Sequence, residues 1–200
     1  MKIKSVVVGS LETNCYILEK DGEILIIDPG DEANKIIESI AGEVVGIIIT
    51  HHHFDHVGAL ESIKNYYNAK VYDYSNLKEE NNIGVFTFRV IPTPGHTDDS
   101  ISVYFKDDNV MFVGDFVFNG SIGRTDLGGN EIDMKKICSN VKNEYVINIE
   151  TGKVYRKKGF VYNGNTYHIP ELKIQGNGEE IEPIIKEYKV TQDYHFVETE

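Results

Sequence analysis

Short apolar runs separated by polar turns organise the chain. Residues 3–8 and 14–18 read as strands, with Gly9 and Asn14 marking the bend between them. Asp21-Gly22 is a strong hairpin signal, and it leads into Glu23-Ile24-Leu25-Ile26-Ile27, which stops at Asp28-Pro29-Gly30. Over residues 31–40 the period lengthens: Ile36, Ile37 and Ile40 share one stripe, and the acidic residues come early, where a helix dipole favours them. Val44-Val45-Gly46-Ile47-Ile48-Ile49 is β-branched and uncharged, the pattern of a strand buried on both faces. Residues 57–67 then predict a helix carrying Leu60, Ile63, Tyr66 and Tyr67, and residues 70–72 a strand. Residues 75–82 read as a loop with at most one helical turn, and residues 84–91 as a strand running into Pro92-Thr93-Pro94-Gly95. Two more strands, 101–105 and 110–114, flank a turn at 106–109. Strands alternating with helices in this way specify a layered α/β architecture, not a bundle or an all-β sandwich.

The last part of the chain is patterned differently. Residues 131–141 predict an amphipathic helix, and residues 145–149, 154–155 and 159–162 a hairpin or meander with turns at Thr151-Gly152 and Asn163-Gly164. One short helix is expected over 181–190 and a loose or edge segment over 193–200. The division expected is a core over residues 1–142 and an atypical C-terminal part over 143–200, a β-hairpin plus a short helix packed on the same domain.

Composition narrows the partners. The chain has 200 residues, enough for one domain with a sizeable core. Its 20 basic and 32 acidic residues give a net charge of −12, which repels phosphate backbones and anionic lipid, so neither nucleic acid nor membrane is an expected partner. Arg156-Lys157-Lys158 reads as a solvated face. Cys15 and Cys138 are too few for a disulfide framework or a thiolate metal site; they read as reduced, partly buried thiols of a cytoplasmic protein. No signal peptide is read in residues 1–9, and no apolar run has the length of a membrane span.

The chemistry concentrates behind the most apolar strand, at Thr50-His51-His52-His53-Phe54-Asp55-His56. Alternate residues of an extended segment point the same way, so His51 and His53 can converge on one cation, while a helical turn at Asp55 swings Asp55 and His56 toward a second position. Imidazole nitrogens and a carboxylate oxygen suit zinc or another first-row divalent ion, iron and manganese included. His96 sits on a loop stiffened by two prolines, at another strand exit, and is a candidate third nitrogen ligand. Asp115 follows Gly114 at a third strand exit, where a carboxylate can bridge two cations. Asp28, at a fourth, is either a turn cap or an acceptor that orients a ligand histidine.

With His51, His53, Asp55, His56, His96 and Asp115 assembled, the chain resembles the metallo-β-lactamase superfamily, and within it the glyoxalase II branch of hydroxyacylglutathione hydrolases. The stretches Leu11-Glu12-Thr13-Asn14-Cys15-Tyr16, Ile27-Asp28-Pro29-Gly30, Thr93-Pro94-Gly95-His96-Thr97 and Gly120-Ser121-Ile122-Gly123-Arg124-Thr125-Asp126-Leu127 carry the same resemblance, over about residues 1–140. It implies a four-layer α-β-β-α sandwich with the metals in a cleft along one edge of the two sheets. It also implies that His51, His53 and His96 hold a first ion, Asp55 and His56 a second, and that Asp115 bridges them. The family's last ligand, a histidine in a Gly-His-Gly stretch, has no counterpart here: Asn165 takes its place, with His168 and His195 as alternatives.

The activity so implied is zinc-dependent hydrolysis of a small-molecule thioester by a metal-bound hydroxide, with Asp55 relaying the proton. Two alternatives stand beside it. One is a mononuclear iron enzyme of the persulfide-dioxygenase kind; the other is a catalytically impaired relative that binds metal but lacks the final ligand. Arg124 and Asp126 read as an ion pair that caps their own loop, not as a substrate clamp.

Overall fold

The Asp21-Gly22 turn forms as its residues dictate: both take positive φ, 51° and 86°, and they join two antiparallel strands, β2 and β3 below. The structure, a computed structural model, describes residues 1–118 and 121–147 and, further on, strand backbones alone; side chains are described for residues 1–118 and 122–137.

Strands β1 (Lys2–Val8), β2 (Thr13–Lys20) and β3 (Glu23–Ile27) form an antiparallel meander. After helix α1 (Ala33–Ile37), strand β4 (Glu43–Ile48) pairs parallel with β3. Helices α2 (Phe54–Val57) and α3 (Leu60–Tyr67) then lead to β5 (Val71–Tyr72), parallel to β4, completing a five-stranded sheet in chain order. A second, four-stranded antiparallel sheet follows from β6 (Glu80–Ile83), β7 (Phe86–Pro92), β8 (Ile101–Phe105) and β9 (Val110–Phe112). The short hairpin of β10 (Val117–Phe118) and β11 (Ser121–Ile122) precedes helix α4 (Glu131–Glu144).

The period-2 alternation of β3 and β4 sorts their side chains between two cores. Ile24, Ile26, Ile47 and Ile49 pack with Ile36 of α1 and Ile63 of α3. Leu25, Ile27 and Ile48 face the second sheet, against Phe86, Phe88, Val90, Val103, Phe105 and Phe112. Each fully buried aromatic or aliphatic side chain contributes about 1.5–3 kcal/mol, so the phenylalanines and branched aliphatic residues between the sheets together dock them. On the far side, Met134 of α4 is fully buried; a Cβ on Gly95 would stand 2.7 Å from Met134 Cβ, so that glycine sets how closely α4 approaches the His96 loop. Helices, two sheets and a further helix make the α-β-β-α order expected from the sequence.

Four elements differ from that expectation. The first helix is shorter than 31–40, because Glu32 takes a left-handed conformation at φ 49° and the helix starts only after it. The helix expected over 57–67 is two helices. A Cβ on Gly58 would lie 2.3 Å from the Gly30 carbonyl oxygen, and the Ala59 N–H donates to Pro29 O at 3.0 Å instead of continuing α2. Strand β6 occupies part of the stretch read as a loop; its Glu-Asn-Asn-Ile sequence carries little strand signal and is recruited by pairing with β7. Beyond α4, the strands β12 (Tyr145–Ile147) and β13 (Val154–Arg156) pair. Strands β14 (Val161–Asn163), β15 (Thr166–His168), β18 (Glu187–Val190) and β19 (Phe196–Glu198) form one sheet, and β16 (Ile174–Gly176) pairs with β17 (Glu179–Ile181). Of the stretch expected as a helix over 181–190, Ile181 closes β17 and Glu187-Tyr188-Lys189-Val190, which alternates charged with apolar residues, forms β18; residues 182–186 lie outside the described residues.

Candidate metal centre

The centre begins at the exit of β3, where Asp28 adopts φ 52°, a left-handed backbone unusual for a residue other than glycine. Its carboxylate is buried and accepts three hydrogen bonds: from the Thr50 N–H at 2.7 Å, from Thr50 Oγ1 at 2.6 Å and from His56 Nδ1 at 3.0 Å. One side chain thus ties together the exits of β3 and β4 and the start of α2. Of the two roles open to Asp28 in the sequence, the structure shows it orienting a histidine.

Hydrogen bonds also fix which nitrogen each buried histidine presents. The Thr50 hydroxyl donates to Asp28, so toward His51 Nδ1, 3.2 Å away, it can only accept; that assigns the proton of His51 to Nδ1. The Arg124 carbonyl, 2.6 Å from His96 Nδ1, can likewise only accept. Both rings are therefore left with a bare Nε2, and both Nε2 atoms are buried without a hydrogen-bond partner. His96 Nε2 does lie 3.5 Å from Asp115 Oδ2, but two acceptors at that distance make no bond. Buried nitrogens of this kind are costly unless something meets their lone pairs.

The rings converge. Centroids of His51 lie 4.9 Å from His53, 4.1 Å from His56 and 4.9 Å from His96, and His53 lies 4.5 Å from His96. Asp115 enters from the loop after β9, with Oδ1 3.1 Å from His56 Nε2. Gly114 makes that approach feasible, since a Cβ there would fall 2.4 Å from Thr50 Oγ1, and its φ of 51° suits glycine. Two groups of donor atoms lie within 4.8 Å of one another, His51 with His53 and His96, and His51 with His56 and Asp115. His51 belongs to both, a sharing that residue spacing does not foretell. Asp55 stands beside the second group, not in it: its Oδ2 lies 3.5 Å from His56 Nε2 and accepts a hydrogen bond from Thr13 Oγ1 at 2.9 Å.

Charge follows the same geometry. Burial, reinforced by the neighbouring His56, pushes the His51 pKa down to about 3. His56 is buried as well, which acts to lower its pKa, yet its bonds to Asp115 and Asp28 outweigh burial and push it up to about 10. Burial raises the Asp115 carboxyl, but the His56 hydrogen bond and the surrounding imidazoles hold it below the usual carboxylate value. In the metal-free chain one cation, His56, therefore sits between two carboxylates, where a metal ion would supply the positive charge instead.

The residues that sequence reading missed are supporting ones: Thr13, Thr50, the Arg124 carbonyl and His52. His52 bonds Asp99 through Nδ1, and its Nε2 lies 3.4 Å from Asp73, joining three loops around the cluster. Their only sequence signal is position, next to a ligand or inside a motif. Arg124 and Asp126 do pair with each other, through Nε at 2.7 Å and Nη2 at 2.6 Å. Asn165 and His195 lie outside the described residues, and of His168 only the strand backbone is described. Among the described residues, no helix is long and apolar enough to cross a membrane.

An α-β-β-α sandwich with histidines and a carboxylate gathered at strand exits defines a candidate metal-binding protein of that architecture. The metallo-β-lactamase superfamily model matches residues 8–80 and 71–147, and the chain belongs to that superfamily. It is 35% identical to the probable metallo-hydrolase YqgX of Bacillus subtilis, over 66% of this chain and 79% of that one. It is 32% identical to a hydroxyacylglutathione hydrolase of Psychromonas ingrahamii, over 66% of this chain but only 58% of that longer protein. Among solved structures it is similar to the BLEG-1 B3 metallo-β-lactamase, with 31% identity and a TM-score of 0.64 over 70% of this chain and 84% of that one. It is also similar to TTHA1623 in a di-iron-bound form, with 27% identity and a TM-score of 0.63 over 69% and 85%.

Proposed function

We propose that the chain is a metal-dependent hydrolase acting on a small-molecule thioester, of the glyoxalase II kind, with a centre for two divalent ions. The observation that carries the metal reading is the pair of buried, unpartnered Nε2 atoms of His51 and His96, each with its Nδ1 proton engaged elsewhere. His51, His53 and His96 would hold a first ion, His56 and Asp55 a second, and Asp115 would serve both. Likeness to the hydroxyacylglutathione hydrolase supports the thioester.

Divalent ions bound there would lower the pKa of an attacking water and polarise the thioester carbonyl oxygen. The chain supplies the rest. Asp28 engages His56 Nδ1 and Thr50 engages His51 Nδ1, so both rings offer Nε2 to an ion, His51 as it stands and His56 once its Nε2 proton has left. Asp55 carries a proton at Oδ2 from the attacking water toward the leaving sulfur. No serine or cysteine nucleophile is required, and Cys15, fully buried and with its thiol pKa raised by burial and by Asp28, is unsuited to the part.

The test is metal analysis of the purified chain joined to assays with S-lactoylglutathione and simpler acyl thioesters. Two ions per chain and thioester turnover support the reading; a chain loaded with two ions that leaves every thioester intact overturns it. The di-iron-bound neighbour favours iron as the alternative to zinc, and the same metal analysis distinguishes them.

A further inference from the structure

We infer that Thr13 is a positioning residue for the second ion site: its hydroxyl holds Asp55 Oδ2 and thereby sets the carboxylate that the site needs. The inference rests on the two-ion reading above and adds a residue that none of the ligand motifs contains.

Both ends of this contact are rigidly mounted. Thr13 opens β2 and is locked in the ladder opposite Val8 of β1; Glu12 before it turns the chain at φ 56°. The threonine is buried, and the Asp55 side chain is only 19% exposed. On the other side, α2 is pressed against the β3 exit so tightly that a Cβ on Gly30 would fall 1.8 Å from the Asp55 carbonyl oxygen. Neither backbone can drift, so the 2.9 Å bond from Thr13 Oγ1 to Asp55 Oδ2 is set by the fold and not by a flexible approach.

The bond matters because Asp55 has little else to direct it. Among the described residues, Thr13 is the hydroxyl donor to this carboxylate, the other polar neighbour being His56 Nε2 at 3.5 Å from the same oxygen. Asp55 also stands outside both tight donor groups, so a small swing of its side chain decides whether it reaches the second position. A hydrogen bond to a charged, partly desolvated carboxylate is a strong one, and partners that orient ligands in this way typically alter metal affinity roughly 10- to 100-fold.

The experiment is a zinc titration of metal-free protein against a chromophoric competitor, on wild type, Thr13→Val, Thr13→Ala and Thr13→Ser. Thr13→Val keeps the shape and removes the hydroxyl; Thr13→Ala removes it without a second branch, should the valine disturb folding. The expected result is an unchanged first binding step in every variant. The second step should weaken roughly 10- to 100-fold in the valine and alanine variants and recover to within a few-fold in Thr13→Ser. In an Asp55→Ala background the Thr13→Val effect should vanish, since the acceptor is gone. Equal second-ion affinity in wild type and Thr13→Val overturns the inference alone, as does a serine variant no better than valine. A wild type that holds a single ion at saturation overturns the two-ion reading, and the inference with it.

Discussion

Asp28 accepts three hydrogen bonds from a buried position, and its loss would leave the Thr50 amide, the Thr50 hydroxyl and the His56 ring without their acceptor. Removing one member of a buried charged cluster costs about 3–5 kcal/mol, so Asp28→Ala should lower unfolding stability by that order in chemical denaturation of the metal-free chain. Two histidines set the pH dependence of the same preparation. His51, with a pKa down to about 3 against its ordinary 6.5, takes up a proton on unfolding when the pH is below 6.5, so stability falls as the pH drops. His56, with a pKa up to about 10, gives up its proton on unfolding when the pH is above 6.5, so stability falls as the pH climbs toward 10. The contribution of this pair therefore peaks near 6.5, a maximum that thermal unfolding across pH would display. Loading an ion must displace the His56 proton, so metal affinity should increase with pH over the neutral range, with proton release measurable by calorimetry in buffers of different ionisation enthalpy.

At the scale of elements, placement of the candidate ligands depends on glycines that admit a neighbouring backbone. A Cβ on Gly123 would fall 1.8 Å from the Asp115 carbonyl oxygen, as one on Gly30 would from that of Asp55. Backbone cannot yield as a side chain does, so Gly123→Ala and Gly30→Ala should each cost about 1–3 kcal/mol and weaken zinc binding, read by denaturation and by titration. Arg124→Ala is the contrasting case. Its ion pair with Asp126 is exposed, exposed pairs contribute little because solvent screens them, and His96 bonds the main-chain carbonyl, which survives the change. An unfolding midpoint close to that of wild type is the expected outcome.

The same scale explains what the sequence revealed. The strands carrying His51, Asp28 and Asp115 were legible because unbroken runs such as Ile47-Ile48-Ile49 are unmistakably buried, and the side chains at their exits carry the ligand chemistry. The break between α2 and α3 was not, because it depends on the carbonyls of Pro29 and Gly30 from another part of the chain. Strand β6 escaped notice for a similar reason: its polar residues become a strand only beside β7. Within the site, spacing indicated which residues could share a cation but not that His51 would stand in both donor groups, nor that Thr13 would claim an oxygen of Asp55. Those are facts of three-dimensional distance.

For the molecule as a whole, a net charge of −12 opposes the approach of anionic substrates. If the substrate is an anionic thioester, kcat/KM should rise with ionic strength as the repulsion is screened, while a neutral acyl thioester should show little change; assays at low and physiological salt check this. The donors, moreover, are divided between the two layers. His51 and His53 extend from the five-stranded sheet, whereas His96 and Asp115 leave the four-stranded one after β7 and β9. A bound cation would consequently fasten the two halves of the sandwich at one edge, and each tenfold increase in free ion above its dissociation constant would add about 1.4 kcal/mol per occupied position to folding. In a cell, the lifetime of such a chain would follow the local supply of trace metal, with chelation exposing it to proteolysis as well as removing its chemistry.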